Sequence, residues 1–329
     1  MNAPLFEKQR APRNRTITLS PSQRANLATA LVSPESVGPT LTNAIILGDC
    51  LSVAPKIARH SVDLLFLDPP YNLNKRFGEM QFSQRSVEDY AHWLGGAIDA
   101  FLPALKPNAT VYICGDWHTS ASIFMAATGR LTIRNRITWE RVKGRGALSN
   151  WKNASEDIWF CTVSGEFTFN VDAVKVRRKV IAPYRDGAGR PKDWNEGPAG
   201  NYRDTYPSNL WTDITIPFWS MPENTDHPTQ KSEKFLAKLL LASTNPGDLV
   251  LDPFLGSGTT AVVAQKLGRA FLGVEVVEEY ALLAARRLEL ARGDSNIQGY
   301  VDGVFWERNS TNLQGASRVG TAPTEDLFR

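Results

Sequence analysis

The sequence predicts an open α/β fold in which a mostly parallel central sheet is covered by helices on both faces. Short apolar runs typical of buried strands recur along the chain, helical stretches alternate with them, and two of the predicted strands end in proline- or glycine-containing turns. The chain has 329 residues, of which 42% are apolar, and this is enough for one large core. Its net charge of +3 permits a nucleic-acid partner without requiring one.

Residues 1–41 are predicted to form a basic N-terminal arm. Ser20 is suited to cap a helix, Pro21 to occupy its first position and Gln23 to complete a capping box. The arm is therefore expected to contain one short helix.

Residues 42–170 carry the first half of the predicted sheet. Its strand candidates are "NAIIL", "VDLLFL", "TVYICG", "RNRITW" and "EDIWFCTV". Between the second and third of these, apolar side chains from Tyr90 to Leu102 recur every three or four residues, and Ser86 precedes them as a cap. This pattern predicts an amphipathic helix that connects two parallel strands.

An irregular insert, residues 171–222, separates the two halves and is rich in Pro, Gly, Trp and charge. In the second half, residues 223–305, a helix is followed by the strand "DLVLDPF", a glycine turn and a helix that ends at Gly268. The strand "AFLGVEV" and a helix that ends at Gly293 come next. Residues 306–329 contain few apolar side chains and are predicted to be a mobile tail.

The glycine turn indicates a cofactor that contains adenosine. Gly256, Gly258 and Ala261 form a G-x-G-x-x-A arrangement, and the carboxylate of Glu275, at the end of the next strand, suits ribose hydroxyls. Both a dinucleotide and S-adenosylmethionine fit this pattern. Asp252, just before the turn, suits the ammonium of S-adenosylmethionine and would repel a pyrophosphate. A purely structural turn is the alternative, and a P-loop is excluded because no lysine follows the turn.

The stretch "DPPYN" at residues 68–72 follows another predicted strand. The Asp68 carboxylate and the carbonyls beside the two prolines accept hydrogen bonds, and Tyr71 offers a ring on which a base can stack. The natural complement is an exocyclic amine; the alternative is a rigid turn with a surface tyrosine. Because ligands bind at the carboxyl ends of parallel strands, this motif and the glycine turn are expected to face one crevice.

Two basic runs without acidic residues are candidates for DNA contacts. Each also contains a tryptophan or tyrosine, which favours contacts with phosphates and bases over a plain solvated loop. Their basic residues are Arg141, Lys143, Arg145 and Lys152 in the first run, and Lys175, Arg177, Arg178, Lys179 and Arg185 in the second.

Export and metal binding are not expected. The three cysteines, Cys50, Cys114 and Cys161, are too few and too scattered for a disulfide framework, and the four histidines are too dispersed for a metal site. No apolar run reaches the roughly 18 to 20 residues of a membrane span, and the N-terminus is charged where a signal peptide is apolar. A cytoplasmic location fits these features.

Taken in order, "LGDC", "SVDLLFLDPPYN", "HPTQK", "DPFLGSGTT" and "FLGVEV" resemble the β-class amino-group DNA methyltransferases, a circularly permuted group. The resemblance covers about residues 43–290. It implies a Rossmann-like, S-adenosylmethionine-dependent fold. Residues 42–170 are then the catalytic half, 171–222 a target recognition insert and 223–305 the cofactor-binding half.

The function that this resemblance implies is site-specific methylation of double-stranded DNA at the exocyclic N6 of a flipped-out adenine. Aspartate in the first motif position is typical of enzymes that act on adenine, so Asp68 favours adenine over cytosine N4. By resemblance, Asp68 and the Pro69 carbonyl hold the amine, Pro70 makes the loop rigid and Tyr71 stacks on the base. Trp139 is expected nearby as a further stacking surface.

The resemblance also implies the residues that bind the cofactor, with Thr229 and Lys231 at the methionine carboxylate. Ser232 stands where family members usually have proline, and it can cap the following helix. The implied cofactor contacts are Asp49, Cys50, Thr229, Lys231, Asp252, Phe254, Gly256, Ser257, Gly258, Thr259 and Glu275.

Other readings remain open at this point. A cytosine-N4 or RNA methyltransferase would use similar motifs, whereas a nicotinamide-dependent oxidoreductase, or a DNA-binding module with an inactive cofactor site, leaves some of them without a role. Methylation at cytosine C5 needs a nucleophilic cysteine, normally after a proline, and none of the three cysteines follows one. Expected partners are double-stranded DNA, a second copy of the chain and a cognate restriction endonuclease, with no membrane and no metal.

Overall fold

The computed structural model describes residues 11–77, 80–141, 149–181, 184–197, 200–308 and 310. Within these ranges no helix is both long enough and apolar enough to cross a membrane. The helices are α1 (Pro21–Ala28), α2 (Cys50–Val53), α3 (Val87–Phe101), α4 (Ser120–Ala127), α5 (Glu233–Ser243), α6 (Thr259–Lys266) and α7 (Glu278–Gly293).

The strands form one large sheet and two small ones. The large sheet contains β1 (Ala44–Leu47), β2 (Val62–Leu67), β5 (Leu105–Gly115), β6 (Thr132–Glu140), β7 (Ser155–Thr162), β10 (Leu210–Trp211), β11 (Leu249–Asp252) and β12 (Ala270–Glu275). The small sheets contain β3 (Lys75–Phe77) with β4 (Met80–Phe82), and β8 (Val176–Lys179), β9 (Tyr202–Thr205), β13 (Tyr300–Val301) and β14 (Val304–Trp306).

The large sheet confirms the predicted α/β fold. Its order is β1-β12-β11-β2-β5-β7-β6-β10, and every neighbouring pair is parallel except those that involve β7, which runs against both β5 and β6. Strands β2 and β11 are neighbours although about 180 residues separate them in sequence. This pairing brings the ends of the two predicted motif strands side by side.

Alternate side chains of β2 pack into two separate hydrophobic cores, one on each face of the large sheet. Leu64 and Phe66 pack on the side of α5, where the Phe66 ring meets Phe235 edge-on at 6.4 Å, and Leu65 and Leu67 pack on the side of α3. All four strand side chains are at most 2% exposed, and burying each contributes about 1.5–3 kcal/mol. Helices therefore cover both faces, as the continuous apolar run predicted.

Three predicted caps are confirmed. Ser20 caps α1 with Gln23 completing the capping box, Ser86 caps α3 by accepting from the Asp89 N–H, and Ser232 caps α5. The Ser232 cap means that serine replaces the usual proline without disturbing the start of α5.

The N-terminal arm lies against the body of the protein. The Ile17 N–H donates to the Asn224 carbonyl at 2.8 Å, and an Arg24 nitrogen donates to the Glu279 carboxylate at 2.9 Å. These bonds connect the arm to the segment just before "HPTQK" and to α7. Residues 1–10 lie outside the described residues.

The insert contains short strands that the sequence pattern did not reveal. Strands β8 and β9 pair with each other, β14 adds to β8, and β10 adds to β6 of the large sheet. Two to four residues are too few for alternation to be recognisable.

The four-stranded small sheet continues past residue 305, where the cofactor-binding half was predicted to end and the tail to begin. Phe305 is fully buried and Trp306, the first residue of the predicted tail, is 6% exposed in β14. Residues 311–329 lie outside the described residues. The division into segments stays a prediction.

Candidate active site

A cleft of about 460 Å³ opens at the carboxyl ends of β1, β2, β11 and β12. This volume falls within the usual range for small-molecule sites. Its walls contain all four residues of the "DPPY" motif and ten of the eleven predicted cofactor residues, all except Gly258. The expectation that "DPPYN" and the glycine turn face one crevice is therefore confirmed.

The loop after β2 is held in place by hydrogen bonds to Tyr90 and Arg85. The Tyr90 hydroxyl of α3 donates to the Pro70 carbonyl at 2.9 Å, and the Asn72 side chain bonds both the N–H and the carbonyl of Arg85. With two consecutive prolines restricting φ, these bonds fix the path of the loop. Asp68 and Tyr71 are thereby presented to the cleft.

Asp68 is paired with Lys231, the residue for which the family resemblance implies a contact with the methionine carboxylate. The Lys231 Nζ lies 2.8 and 2.7 Å from the two Asp68 oxygens, and the Tyr71 hydroxyl donates to Asp68 Oδ1 at 3.1 Å. Burial acts to lower the pKa of Lys231, but the carboxylates of Asp68 and Glu156 outweigh it and hold that pKa above its ordinary value. Lys231 is thus a charged partner of the target-base motif.

Glu156 is the residue that sequence reasoning missed. It lies on β7, its side chain is 5% exposed, and its Oε2 is 3.5 Å from Lys231 Nζ and 3.3 Å from the Tyr71 hydroxyl. Burial, followed by Asp68 and Glu156, raises the pKa of Tyr71 well above its usual value, so the phenol stays protonated. No motif marks Glu156 in the sequence, because its role depends on the antiparallel placement of β7 beside β5.

The glycine turn after β11 contains two glycines with left-handed backbone conformations. Gly256 has φ +54° and Gly258 has φ +83°, and a Cβ at Gly258 would lie 2.5 Å from the Ala284 Cβ of α7. The Gly256 N–H donates to the Glu275 carboxylate at 2.7 Å, while the Arg287 guanidinium donates to the Ser257 carbonyl at 2.9 Å. Glycine is required here both for backbone conformation and for close helix packing.

Two buried carboxyl groups, Asp252 and Glu275, line the cleft beside the glycine turn. Burial raises the pKa of Asp252 to about 7, against opposing bonds from the Thr260 side chain and the Phe254 N–H. Burial also raises the pKa of Glu275, whose oxygens accept from Gly256 and Val277. A carboxylate held in this way gains most from a cationic or hydroxyl-bearing ligand.

The remaining predicted cofactor residues lie around these carboxylates. Asp49 caps α2 by accepting from the Leu51 N–H at 3.2 Å, and burial raises the pKa of the neighbouring Cys50 to about 12, so its thiol stays neutral. Thr229 lines the cleft, and the Thr259 hydroxyl donates to the Lys231 carbonyl at 2.9 Å. Their individual roles toward a cofactor stay predictions.

Trp139 does not provide the expected second stacking surface, and that expectation is wrong. Its side chain is 1% exposed, its ring packs 5.0 Å from that of Phe235, and its indole N–H donates to the Ile214 carbonyl at 3.0 Å. Phenyl, phenol and indole rings that do line the cleft belong to Phe66, Tyr71, Trp93, Phe254 and Tyr280.

Several predicted DNA contacts have protein partners in the structure. Arg141 bonds Glu156, Lys175 pairs with Asp172 at 2.7 Å, Arg177 with Asp204 at 2.7 Å and Arg185 with Glu196 at 3.1 Å. Of the other predicted contacts, Lys152 and Lys179 are exposed, Arg178 is half-buried on β8, and Lys143 and Arg145 lie outside the described residues. The assignment of these residues to DNA stays a prediction.

The chain is similar in sequence to known DNA methyltransferases. A family model described as DNA methylase, of the N6/N4 type, matches residues 62–286. The chain is 36% identical over 280 residues to the DNA adenine methyltransferase YhdJ of Escherichia coli (strain K12), covering 84% of this chain and 91% of that protein. It is 30% identical over 259 residues to the type II methyltransferase M.HpaI of Haemophilus parainfluenzae, covering 78% and 76%.

The solved structure of the PvuII DNA methyltransferase, described as cytosine-N4-specific, has a similar fold. It superposes with a TM-score of 0.56 and 18% identity, covering 81% of this chain and 93% of that one. At this level of identity the likeness concerns the fold alone.

Proposed function

The chain belongs to the N6/N4 DNA methylase family, and from that premise we propose that it methylates the exocyclic N6 of adenine at a specific site in double-stranded DNA. S-adenosylmethionine is the methyl donor. The observation that carries the proposal is the shared cleft: the acceptor-rich "DPPY" loop and the glycine turn end neighbouring strands β2 and β11.

Adenine is favoured over cytosine by the relatives. The protein with 36% identity is named a DNA adenine methyltransferase, and aspartate is the first residue of the motif here. The cytosine-N4 enzyme shares the fold at only 18% identity. A nicotinamide-dependent oxidoreductase is no longer a candidate, since the matched family is one of DNA methylases.

The residues around the glycine turn fit S-adenosylmethionine. Asp252 offers a buried carboxylate for an ammonium, Glu275 offers oriented oxygens for ribose hydroxyls, and the turn leaves no room for a side chain at Gly258. A pyrophosphate beside Asp252 would be repelled instead. The donor set therefore suits a cationic ligand that contains adenosine.

Methyl transfer requires that the exocyclic N6 of adenine become more nucleophilic. It also requires that the positive charge that develops on this nitrogen be stabilised. When bound, S-adenosylmethionine would supply the methyl group for N6 and leave as S-adenosylhomocysteine, and the methylated amine would release its surplus proton to water. Asp68 accepts a hydrogen bond from the amine and stabilises its positive charge in the transition state. Tyr71 supports the base by stacking once it has left the duplex, where its amine is otherwise out of reach.

A labelling experiment tests this function. The protein is incubated with S-adenosylmethionine that carries an isotopically labelled methyl group and with unmethylated DNA, and the DNA is hydrolysed to nucleosides. Label in N6-methyladenine is expected. Label in N4-methylcytosine would show that cytosine, not adenine, is the target base. DNA without label would contradict the proposed function. A parallel incubation with RNA tests whether the protein is an RNA methyltransferase.

The recognition sequence follows from mapping methylated positions in DNA of cells that express the chain. The relative M.HpaI is named a type II methyltransferase, which supports a search for a restriction endonuclease of the same specificity. A homodimer, that endonuclease and a cytoplasmic location stay predictions from the sequence.

A further inference from the structure

Four side chains of alternating charge form a row that begins at the catalytic loop. In order they are Asp68, Lys231, Glu156 and Arg141, with side-chain exposures of 17, 7, 5 and 26%. Lys231 bonds both oxygens of Asp68 and is 3.5 Å from Glu156, whose other oxygen accepts from Arg141. We call this set the charge chain.

In this arrangement Asp68 is already engaged with a cation before any target amine arrives. Both of its oxygens accept from the Lys231 ammonium, and Oδ1 also accepts from the Tyr71 hydroxyl. An ammonium so close would also oppose the positive charge that develops on the attacking nitrogen. Efficient transfer therefore requires Lys231 to weaken its hold on Asp68.

Glu156 is the other carboxylate within reach of Lys231. A movement of roughly 1 Å would shorten the 3.5 Å separation between Lys231 Nζ and Glu156 Oε2 to an ordinary charged hydrogen bond. The Tyr71 hydroxyl already lies between the two carboxylates, 3.1 Å from Asp68 and 3.3 Å from Glu156. Because all these groups are largely buried, the ammonium cannot be left without a carboxylate partner.

We propose that Glu156 is a positioning residue for methyl transfer: it takes over Lys231 when the target amine arrives, which leaves Asp68 as the acceptor for that amine. Arg141 orients Glu156 by holding its second oxygen. The inference rests on the proposed function and extends it to a residue outside the "DPPY" and glycine motifs. Glu156 acts through Lys231 and need not touch the base or the cofactor.

The test is Glu156→Gln, which keeps the shape of the side chain and removes its charge. Single-turnover methylation is measured with saturating S-adenosylmethionine and DNA, beside the affinity for each. The transfer rate is expected to fall about tenfold or more, while both dissociation constants stay within about threefold. Glu140→Gln is the matched control, because Glu140 pairs with Arg308 and lies outside the charge chain; it should leave the rate unchanged.

A double-mutant cycle separates this role from a structural one. If Glu156 works through Lys231, its replacement should cost little in a Lys231→Met background, whereas a general loss of folding would cost the same in both backgrounds. Should Glu156→Gln fail to fold, Glu156→Asp carries the same test, because it keeps the charge but withdraws it from Lys231.

Three results would overturn the inference: a Glu156→Gln transfer rate within about twofold of the unsubstituted protein, a loss confined to cofactor or DNA affinity, or an equal cost in both backgrounds. In each of these cases the unsubstituted protein would still form N6-methyladenine. Absence of that product from the unsubstituted protein would instead refute the proposed function.

Discussion

The Gly256 N–H donates a 2.7 Å hydrogen bond to Oε2 of Glu275, so the cofactor turn and the end of β12 hold each other in place. The Val277 N–H donates to Oε1 of the same carboxylate at 2.8 Å. Both oxygens are thus oriented before any ligand binds. A carboxylate fixed in this way loses little freedom when it accepts bonds from ribose hydroxyls.

Glu275→Gln should weaken S-adenosylmethionine binding by about 1–3 kcal/mol, or roughly fivefold to 150-fold. The amide NH₂ must face one of the two backbone N–H donors that the carboxylate now satisfies. Isothermal titration calorimetry measures the effect. Glu278→Gln, in the first turn of α7, is the control; equal affinities for both variants would contradict the assigned role.

Asp252 should make cofactor affinity depend on pH. Its pKa is raised to about 7 by burial, so its carboxyl group is neutral below that pH and ionised above it. An ammonium ligand prefers the ionised form, so affinity should rise about tenfold per unit below pH 7 and level off above it, until the ligand amine loses its own proton. Titrations between about pH 5.5 and 7.5 check this. Asp252→Asn should bind weakly at every pH in that window, and a persisting slope would assign the dependence to another group.

Gly258→Ala should destabilise the protein. The new methyl group would lie 2.5 Å from the Ala284 Cβ, in a backbone conformation with φ +83°. Backbone strain and overpacking together predict a loss of about 2–4 kcal/mol in the free energy of unfolding.

Gly268→Ala is the matched control for this substitution. Its φ is +71°, but a Cβ there meets nothing within 4 Å, so only the backbone strain of about 1–2 kcal/mol applies. Denaturant unfolding of the two variants measures the difference. Equal losses would show that contact with α7 does not determine the need for glycine in the turn.

Asp68→Ala should reduce methyl transfer about a hundredfold or more while leaving S-adenosylmethionine binding measurable, because it removes the acceptor for the amine. The displaced Lys231 retains Glu156 as a partner, so the fold should survive. Asp99→Ala removes a carboxylate from the exposed pair with Arg130 and should have little effect. Single-turnover assays compare them, and full activity of Asp68→Ala would refute the catalytic role of Asp68.

Much of the fold could be predicted because long elements carry a clear pattern. The apolar run of β2, the three- and four-residue spacing of α3 and the serine caps are local signals, and each was confirmed. The short strands of the insert carry no such signal: β10 has two residues and β9 has four. Their pairing depends on distant segments that local propensity does not encode.

The candidate site, like the fold, has parts that the sequence could predict and parts that it could not. The residues of "DPPY" and of the glycine turn were identifiable because turns demand particular residue types, and the cleft brings these residues together. Trp139 was misplaced because an aromatic residue near the end of a strand can point into the core as readily as toward a cleft.

The sequence by itself determined the fold class, the family and the two motifs, since these reside in contiguous residues with characteristic chemistry. Only the tertiary structure decided which charges meet. Lys231 and Glu156 are 163 and 88 residues from Asp68 in sequence, yet the order of β2, β5 and β7 and the start of α5 place them together. Coulombic interaction depends on separation in space and on burial, and neither is encoded by neighbouring residues.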